Sequence, residues 1–318
     1  MPAAQRTTAR QAEPMETNFG DLLAIGDGLF TTATAHAAGL SDYELTRGVR
    51  RKQIRRVTRG VYGGPTVPDE TAVSAHQVMS RAALLLHPDA VLSGVSAVLA
   101  HGLPVLDESL TRVQIERPVR QEVLTADLTI RPKRWPEADP DEAGPRLPAI
   151  DLASAIIQAT LDLGVMPGVI AADAAVHDGR LTAEEVQSWP QKVVGWPASS
   201  RVRSLCPLVD GRSESPGESL FRAHMTLGGI DLLPQVTIRD AKGLIGRVDF
   251  LVQGTKVIIE FDGKIKYASG DPTVLWDEKR REDRLRALGY VVLRVVWADL
   301  MRPGALLARV RAAISAAA

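Results

Sequence analysis

The 318 residues contain one cysteine, Cys206. An internal disulfide framework is therefore excluded, as is any zinc site built from several thiolates, and this usage suits a reducing compartment. Net charge is missing too, since 38 Lys and Arg balance 38 Asp and Glu. Without an overall field, attraction to nucleic acid or to anionic lipid has to come from local patches. No stretch approaches the roughly 18 apolar residues that would span a bilayer, and the segment from Met1 to Asn18 lacks the apolar centre of a signal peptide. Together these absences predict a cytoplasmic protein with no membrane segment. Lysine is scarce beside arginine, so a lone Arg cluster says little here and a Lys cluster says more.

What is present is a globular composition, 45% hydrophobic and 24% charged, with Gly and Pro dispersed. Four segments follow from the pattern: a polar, aperiodic tail over 1–17, a compact helical segment closed by a strand pair over 18–66, a middle α/β region over 67–205, and a C-terminal domain over 206–318. The expected fold class is mixed, α+β. In the middle region, helices are expected near Val73 to Leu86, Ser93 to His101, Asp151 to Leu163 and Pro167 to His177, with strands at Arg112 to Ile115 and Leu128 to Ile130. His76, His87, His101 and His177 do not share metal-ligand spacing, and no site is expected there.

The C-terminal domain is more informative. Ser215-Pro216-Gly217-Glu218 opens a helix with Ser at the N-cap, Pro at the first helical position and Glu three residues after the cap. Strands are expected at Gln235 to Arg239, Leu244 to Val252 and Lys256 to Asp262. A Gly254-Thr255 loop suits a type II′ turn, which sets Leu251 opposite Ile258, Asp249 opposite Glu260 and Arg247 opposite Asp262. The other face is then Val248, Phe250, Val252, Val257, Ile259 and Phe261, all apolar, which supports that register.

Two carboxylates directly opposed, with Cβ atoms about 4.5–5.5 Å apart, destabilise a sheet unless something neutralises them. A divalent cation does so, and hard oxygen donors suit Mg²⁺, or Mn²⁺ in its place. The alternatives are a solvated acidic face or one protonated carboxyl. Asp262 is either a third ligand or the ion-pair partner of Arg247, and Glu218 is either an accessory acid or simply part of its own helix cap. Lys256, Lys264, Lys266 and Lys279 fall close to these acids in the sequence. Phosphodiester cleavage needs an activated water, a metal to align it and a cation near the charge that develops. Asp249 and Glu260 on the metal, Asp262 beside them and Lys264 or Lys279 at the scissile phosphate would supply these, with Lys266 as a nucleic-acid contact. A helix from Trp276 to Leu288, a buried strand from Tyr290 to Trp297 and a last helix near Pro303 to Ala316 complete the order αβββαβα.

This order, with Asp249, Glu260-Phe-Asp262-Gly-Lys264, Arg281 to Asp283 and Gly289 to Arg294, resembles the PD-(D/E)xK restriction-endonuclease superfamily. It is closest to the branch related to very-short-patch-repair endonucleases, over about Ser213 to Leu300. The resemblance implies a restriction-endonuclease-like core and Mg-dependent hydrolysis of DNA. The lysine that the superfamily places two residues after the second acid is Asp262 here, which leaves that role to Lys264, Lys266 or Lys279. Where relatives often carry histidine after Asp-Gly, this chain has Lys266.

Near the N-terminus, Ser41-Asp42-Tyr43-Glu44 is a capping box. It opens a helix bearing Arg47, Arg50 and Arg51, and Lys52, Arg55, Arg56 and Arg59 follow on the expected strand pair. Such a stripe suits phosphate contact and groove insertion by a winged helix-turn-helix, or else a solvated face in an Arg-rich chain. The segment from about 19 to 64, ending in Arg-Val-Thr-Arg-Gly-Val-Tyr, resembles the winged-helix domain of AbiEi-like antitoxins from type IV abortive-infection systems. That resemblance implies promoter binding, repression and a cognate toxin as partner. Two functions are thus expected in competition: a DNA-binding, Mg-dependent endonuclease of repair or phage defence, and a regulator whose nuclease fold is inactive.

Overall fold

A computed structural model describes residues 18–138, 147–262 and 272–317. The expected tail over 1–17, Lys264 and Lys266 lie outside the described residues. The architecture is mixed α and β, and the chain divides into two compact units, Met1–Asp89 and Ala90–Ala318. Among the described residues no helix is long and apolar enough to cross a membrane.

The first unit runs α1 (Phe19–Ile25), β1 (Leu29–Thr31), α2 (Thr32–Ala37), α3 (Asp42–Arg50), β2 (Arg55–Thr58), β3 (Val61–Gly63) and α4 (Ala72–Leu86). Side-chain caps define where the short helices begin. The Asn18 and Thr31 side chains accept from the backbones of Asp21 and Thr34, and Ser41 and Glu44 form the expected reciprocal box. The strands make an antiparallel sheet in the order β1-β3-β2, with Phe30 opposite Tyr62 and their rings stacked at 5.7 Å. Leu22, Phe30, Ala35, Leu45, Ile54 and Tyr62 form the core. Helix α4, expected to open the middle region, packs Val78 and Ala82 against Leu29 and Val61 and so belongs to this unit.

The second unit begins with β4 (Val91–Leu92), α5 (Gly94–Ala100), β5 (Val113–Arg117), β6 (Val123–Leu124) and β7 (Leu128–Pro132). Its first sheet has the order β4-β5-β7-β6, with β5 and β7 parallel. Helices α6 (Leu152–Leu163), α7 (Val165–His177), α8 (Ala183–Lys192) and α9 (Ser199–Leu205) follow. Then come α10 (Pro216–Leu227), β8 (Leu232–Asp240), β9 (Gly243–Val252), β10 (Val257–Phe261), α11 (Pro272–Ala287), β11 (Val291–Val295), α12 (Trp297–Leu300) and α13 (Pro303–Ala317). This is the expected αβββαβα order with one extra helical turn, α12, before the last helix.

The junction expected at 205/206 falls inside this unit. Leu106 and Ile170 from the middle region share a core with Phe221, Phe250 and Ile259. Beside it, the Asp173 carboxylate of α7 meets the Arg222 guanidinium of α10 at 2.6 Å, with both side chains buried. A hydrophobic pattern marks helices, but it cannot say which of them share one interior.

The second sheet has the order β11-β10-β9-β8, with only β10 and β11 parallel. Leu251 faces Ile258 and Phe250 faces Ile259, the register the loop predicts. The turn itself closes one residue early, from the Thr255 N–H to the Val252 carbonyl at 3.1 Å, with Gly254 at φ +74°. Phe250, Val252, Val257 and Ile259 pack under α10 and α13, through Phe221, Leu306 and Val310. Val248 departs from the expected face and packs with Ile258 and Leu285 of α11. It pairs with Val236 of β8, beside Gln235 at φ +54°.

Candidate functional site

Two groups of residues carry chemistry, one in each unit. The acidic group lies in the second unit, where β9, β10 and the start of α10 meet. Gly217 lets α10 approach closely, because a Cβ there would fall 2.3 Å from the Phe261 ring. That contact places Glu218 beside the strands. Glu218 is 7% exposed. Its Oε2 accepts from the Glu214 N–H at 3.0 Å and from Gln235 Nε2 at 2.9 Å, and its Oε1 accepts from the Ser215 hydroxyl at 2.8 Å. The expected box is therefore shifted, since the backbone donor belongs to Glu214 and not to Ser215.

Asp249 uses one oxygen in the sheet, its Oδ2 accepting from the Phe261 N–H at 2.7 Å. Glu260 is paired with Arg281, Nη1 to Oε1 at 2.8 Å. Burial pushes the Glu218 carboxyl above the usual range against its hydrogen bonds, and the nearby Asp249 charge pushes in the same direction. Burial also raises Glu260, opposed by Arg281 and reinforced by Glu278 and Asp249. The field of Asp249 thus acts on both neighbours, which makes one acidic group of Glu218, Asp249 and Glu260. Among the described residues, no three His, Cys, Asp or Glu side chains close into a metal cage. The donor chemistry still suits a hard cation, because Asp249 Oδ1 and Glu260 Oε2 stay clear of the bonds named above.

The remaining expected residues are placed as follows. Asp262 extends the β10–β11 pairing through its N–H to the Val295 carbonyl at 2.8 Å. Arg247, expected opposite it, binds Glu214 Oε2 at 2.6 Å. Lys279 is exposed on α11, with its ammonium 5.8 Å from the centre of the Trp276 ring. Arg281 has the largest part that sequence reasoning did not assign. Its Nη2 also donates to the Arg247 carbonyl at 2.9 Å, and it lies where a Cβ on Gly246 would come within 2.8 Å of its Nε. The glycine inside this strand was the available signal. Beyond it Arg294, the register partner of Glu260, reaches Glu282 at 3.1 Å and Glu278 at 3.4 Å.

The basic group lies in the first unit. Helix α3 buries only Leu45 and Gly48, and the Phe19 ring covers Gly48, so the helix turns nearly all its remaining surface outward. Arg47, Arg50, Arg51, Lys52, Arg56 and Arg59 are exposed. The helix ends on Lys52 at φ +56°, with its N–H bonded to the Val49 carbonyl and the Gln53 N–H bonded to the Gly48 carbonyl. Glycine is the usual residue in that conformation, so this backbone holds a lysine against its preference. Arg56 lies over the Tyr62 ring at 5.8 Å. Arg55 is turned away from the stripe, bonded to Asp69 at 2.7 Å and to the Val67 carbonyl at 3.2 Å. Among the described residues the side chains of Arg50, Arg51, Lys52 and Arg59 form no ion pair.

Residues 21–63 match the family described as a transcriptional regulator, AbiEi antitoxin. The match begins in α1 and ends with β3, and so includes α3 and the strand pair that carry the basic stripe. Two proteins described as uncharacterized, from the CDC 1551 and H37Rv strains of Mycobacterium tuberculosis, are each 32% identical to this chain over 140 residues. The alignment covers 43% of this chain and 51% of each relative, so the chain spans about half the length of the curated relatives it matches.

Proposed function

We propose that the chain is a DNA-binding transcriptional regulator of the AbiEi antitoxin kind. In this reading the first unit is a winged helix-turn-helix, α3 enters the major groove, and Arg47, Arg50, Arg51, Lys52, Arg56 and Arg59 hold phosphates along it. The observation that carries it is the uncompensated cationic surface of α3 and its exit, inside the segment similar to that family. A cognate toxin is the partner that goes with such a regulator. The test is fluorescence anisotropy with duplex DNA from upstream of the gene, at several salt concentrations. Changing Arg50, Arg51 and Lys52 together to alanine removes three phosphate contacts, which lowers the slope of log K against log salt by roughly 2–3. Tight binding with an unchanged slope in that variant overturns the reading.

The juxtaposition of Asp249 and Glu260 favours a second reading for the other unit. Here the αβββαβα core is restriction-endonuclease-like and hydrolyses phosphodiester bonds, in repair or phage defence. Asp249 and Glu260 would hold Mg²⁺ or Mn²⁺, with Glu218 and Asp262 as accessory acids. The bound ion supplies Lewis acidity to the phosphate and lowers the pKa of water. Lys264 or Lys279 would face the scissile phosphate, and Lys266 would contact the strand. Arg281 neutralises Glu260 and keeps its carboxylate in place. A plasmid-nicking assay with Mg²⁺ decides, with Asp249→Ala as the control. Equal inertness of both proteins at micromolar concentration leaves the regulator reading alone.

A further inference from the structure

Apart from the acidic group, with which it shares no residue, the second unit holds a cleft of 340 Å³ between the β7 side of its first sheet, α6 and the turn before α9. Its floor is a closed polar network. Arg131 donates to both oxygens of Asp162, at 2.8 and 3.2 Å, and to Glu122 at 2.6 Å. Gln158, 7% exposed, donates to Asp162 at 2.9 Å and accepts from the Trp135 indole at 3.0 Å. Every strong group at the bottom already has a partner, with Arg131 shared between Glu122 and Asp162, so the floor is fixed and carries a net negative charge that steers an anion toward the rim.

The wall and rim differ from the floor. Trp196 lines the cleft, with the Trp135 ring packed at 5.0 Å and the Arg134 guanidinium 5.4 Å from its ring centre. Arg120 stands on the rim. Among the described residues neither Arg120 nor Arg134 forms an ion pair, in contrast to Arg131. The cleft therefore combines an aromatic wall, two guanidinium groups outside any ion pair and a volume at the lower end of the range for small-molecule sites. Guanidinium forks match phosphate oxygens, and an aromatic face accepts a base of any sequence by stacking.

We infer that this cleft binds one nucleoside monophosphate unit, with its phosphate on Arg120 and Arg134 and its base against Trp196. The unit is either a free nucleotide or an unpaired nucleotide of a strand, and both present the same chemistry. None of its lining residues belongs to α3 or to the acidic group.

Trp135 and Trp196 make binding directly visible as quenching of tryptophan fluorescence. The full chain is titrated with thymidine monophosphate, with a short oligothymidylate and with inorganic phosphate. Saturable quenching by either nucleotide at concentrations below about 1 mM is expected, with phosphate alone far weaker. Tighter binding of the oligomer assigns the site to single strands, and equal or tighter binding of the monomer assigns it to free nucleotide. Arg120→Gln and Arg134→Gln each weaken binding about tenfold, Trp196→Phe keeps it, and Trp196→Ala loses it. A triple Arg50, Arg51 and Lys52 variant leaves the quenching unchanged, which separates this site from the duplex-binding surface. Absence of saturation by both nucleotides, or identical curves for wild type and Arg134→Gln with unchanged circular dichroism, overturns the inference.

Discussion

Asp173→Asn tests the claim that a buried ion pair joins α7 of the middle region to α10 of the C-terminal part. In the native protein Asp173 Oδ2 meets Arg222 Nη2 at 2.6 Å, and Oδ1 accepts from the Asp210 N–H at 2.7 Å. The Asp173 side chain is 0% exposed and that of Arg222 is 7% exposed, so water cannot replace either partner. Burial pushes the Asp173 carboxyl above its usual range, and Arg222, the Asp210 N–H and Ser219 oppose that push. Asparagine has the same shape, so no cavity forms. Its amide can still accept from Asp210, but its nitrogen then faces another donor, and the Arg222 charge is left buried without a counter-charge. Breaking a buried pair from one side costs about 3–5 kcal/mol. For a unit of this size that corresponds to a fall in Tm of roughly 6–20 °C. Urea unfolding followed by tryptophan fluorescence gives the free energy from the midpoint and slope. Adding Arg222→Met to Asp173→Asn removes the orphaned charge and should recover a large part of the loss. A single variant within about 1 kcal/mol of wild type, or a double variant no better than the single, refutes the argument.

Two further predictions concern single residues. Lys52→Gly relieves the left-handed backbone at the end of α3 and should stabilise the first unit by about 0.5–1 kcal/mol, while removing one phosphate contact and lowering the salt slope by about 0.9; loss of stability, or unchanged DNA binding, contradicts the role given to that lysine. His101 lies 2.9 Å from the Ile150 carbonyl through Nε2, with Arg180 3.2 Å from Nδ1, so the neutral ring donates from Nε2 and accepts at Nδ1. Burial, with Arg180 adding to it, holds its pKa below the ordinary value. The folded state therefore binds fewer protons than the unfolded chain. The stability this supplies is complete above about pH 6.5 and is lost as pH falls from there toward the depressed pKa. In His101→Gln the fall between pH 7 and 5 should be shallower. His224, whose pKa burial also lowers, keeps its own share, so the profile should not become flat. An identical profile in the variant contradicts the assignment.

Much of the fold could be read locally. Ser41 with Glu44 and Ser215 with Glu218 marked helix starts, because a capping side chain acts within three residues of its own position. The apolar alternation from Phe250 to Val252 and from Val257 to Ile259 marked the β9–β10 register, because a slip of one residue would expose that face, although the turn closes one residue early and Val248 leaves the face. Extended by one step, that register sets Asp249 opposite Glu260, and in the structure the paired ladder stops at Phe250 and Ile259, with Asp249 bonded to the Phe261 N–H instead. Contacts distant along the chain were not legible. Arg281 reaches Glu260 from a helix 21 positions away, Arg55 turns to Asp69, and Arg247 turns to Glu214 rather than to the residue across the hairpin. Charged side chains choose partners by three-dimensional proximity, and many arginines compete for each acid in such a composition. The cleft beside Trp196 was equally hidden, since Gln158, Asp162 and Trp196 reach its arginines from far along the chain, and those arginines are told apart only by which of them is already paired. The sequence by itself determined helix caps and the alternation of the central strands, all set by forces acting over a few residues. Only the tertiary structure decided where one core ends and the next begins, and which charges remain uncompensated, because burial and ion pairing depend on elements brought together from across the chain.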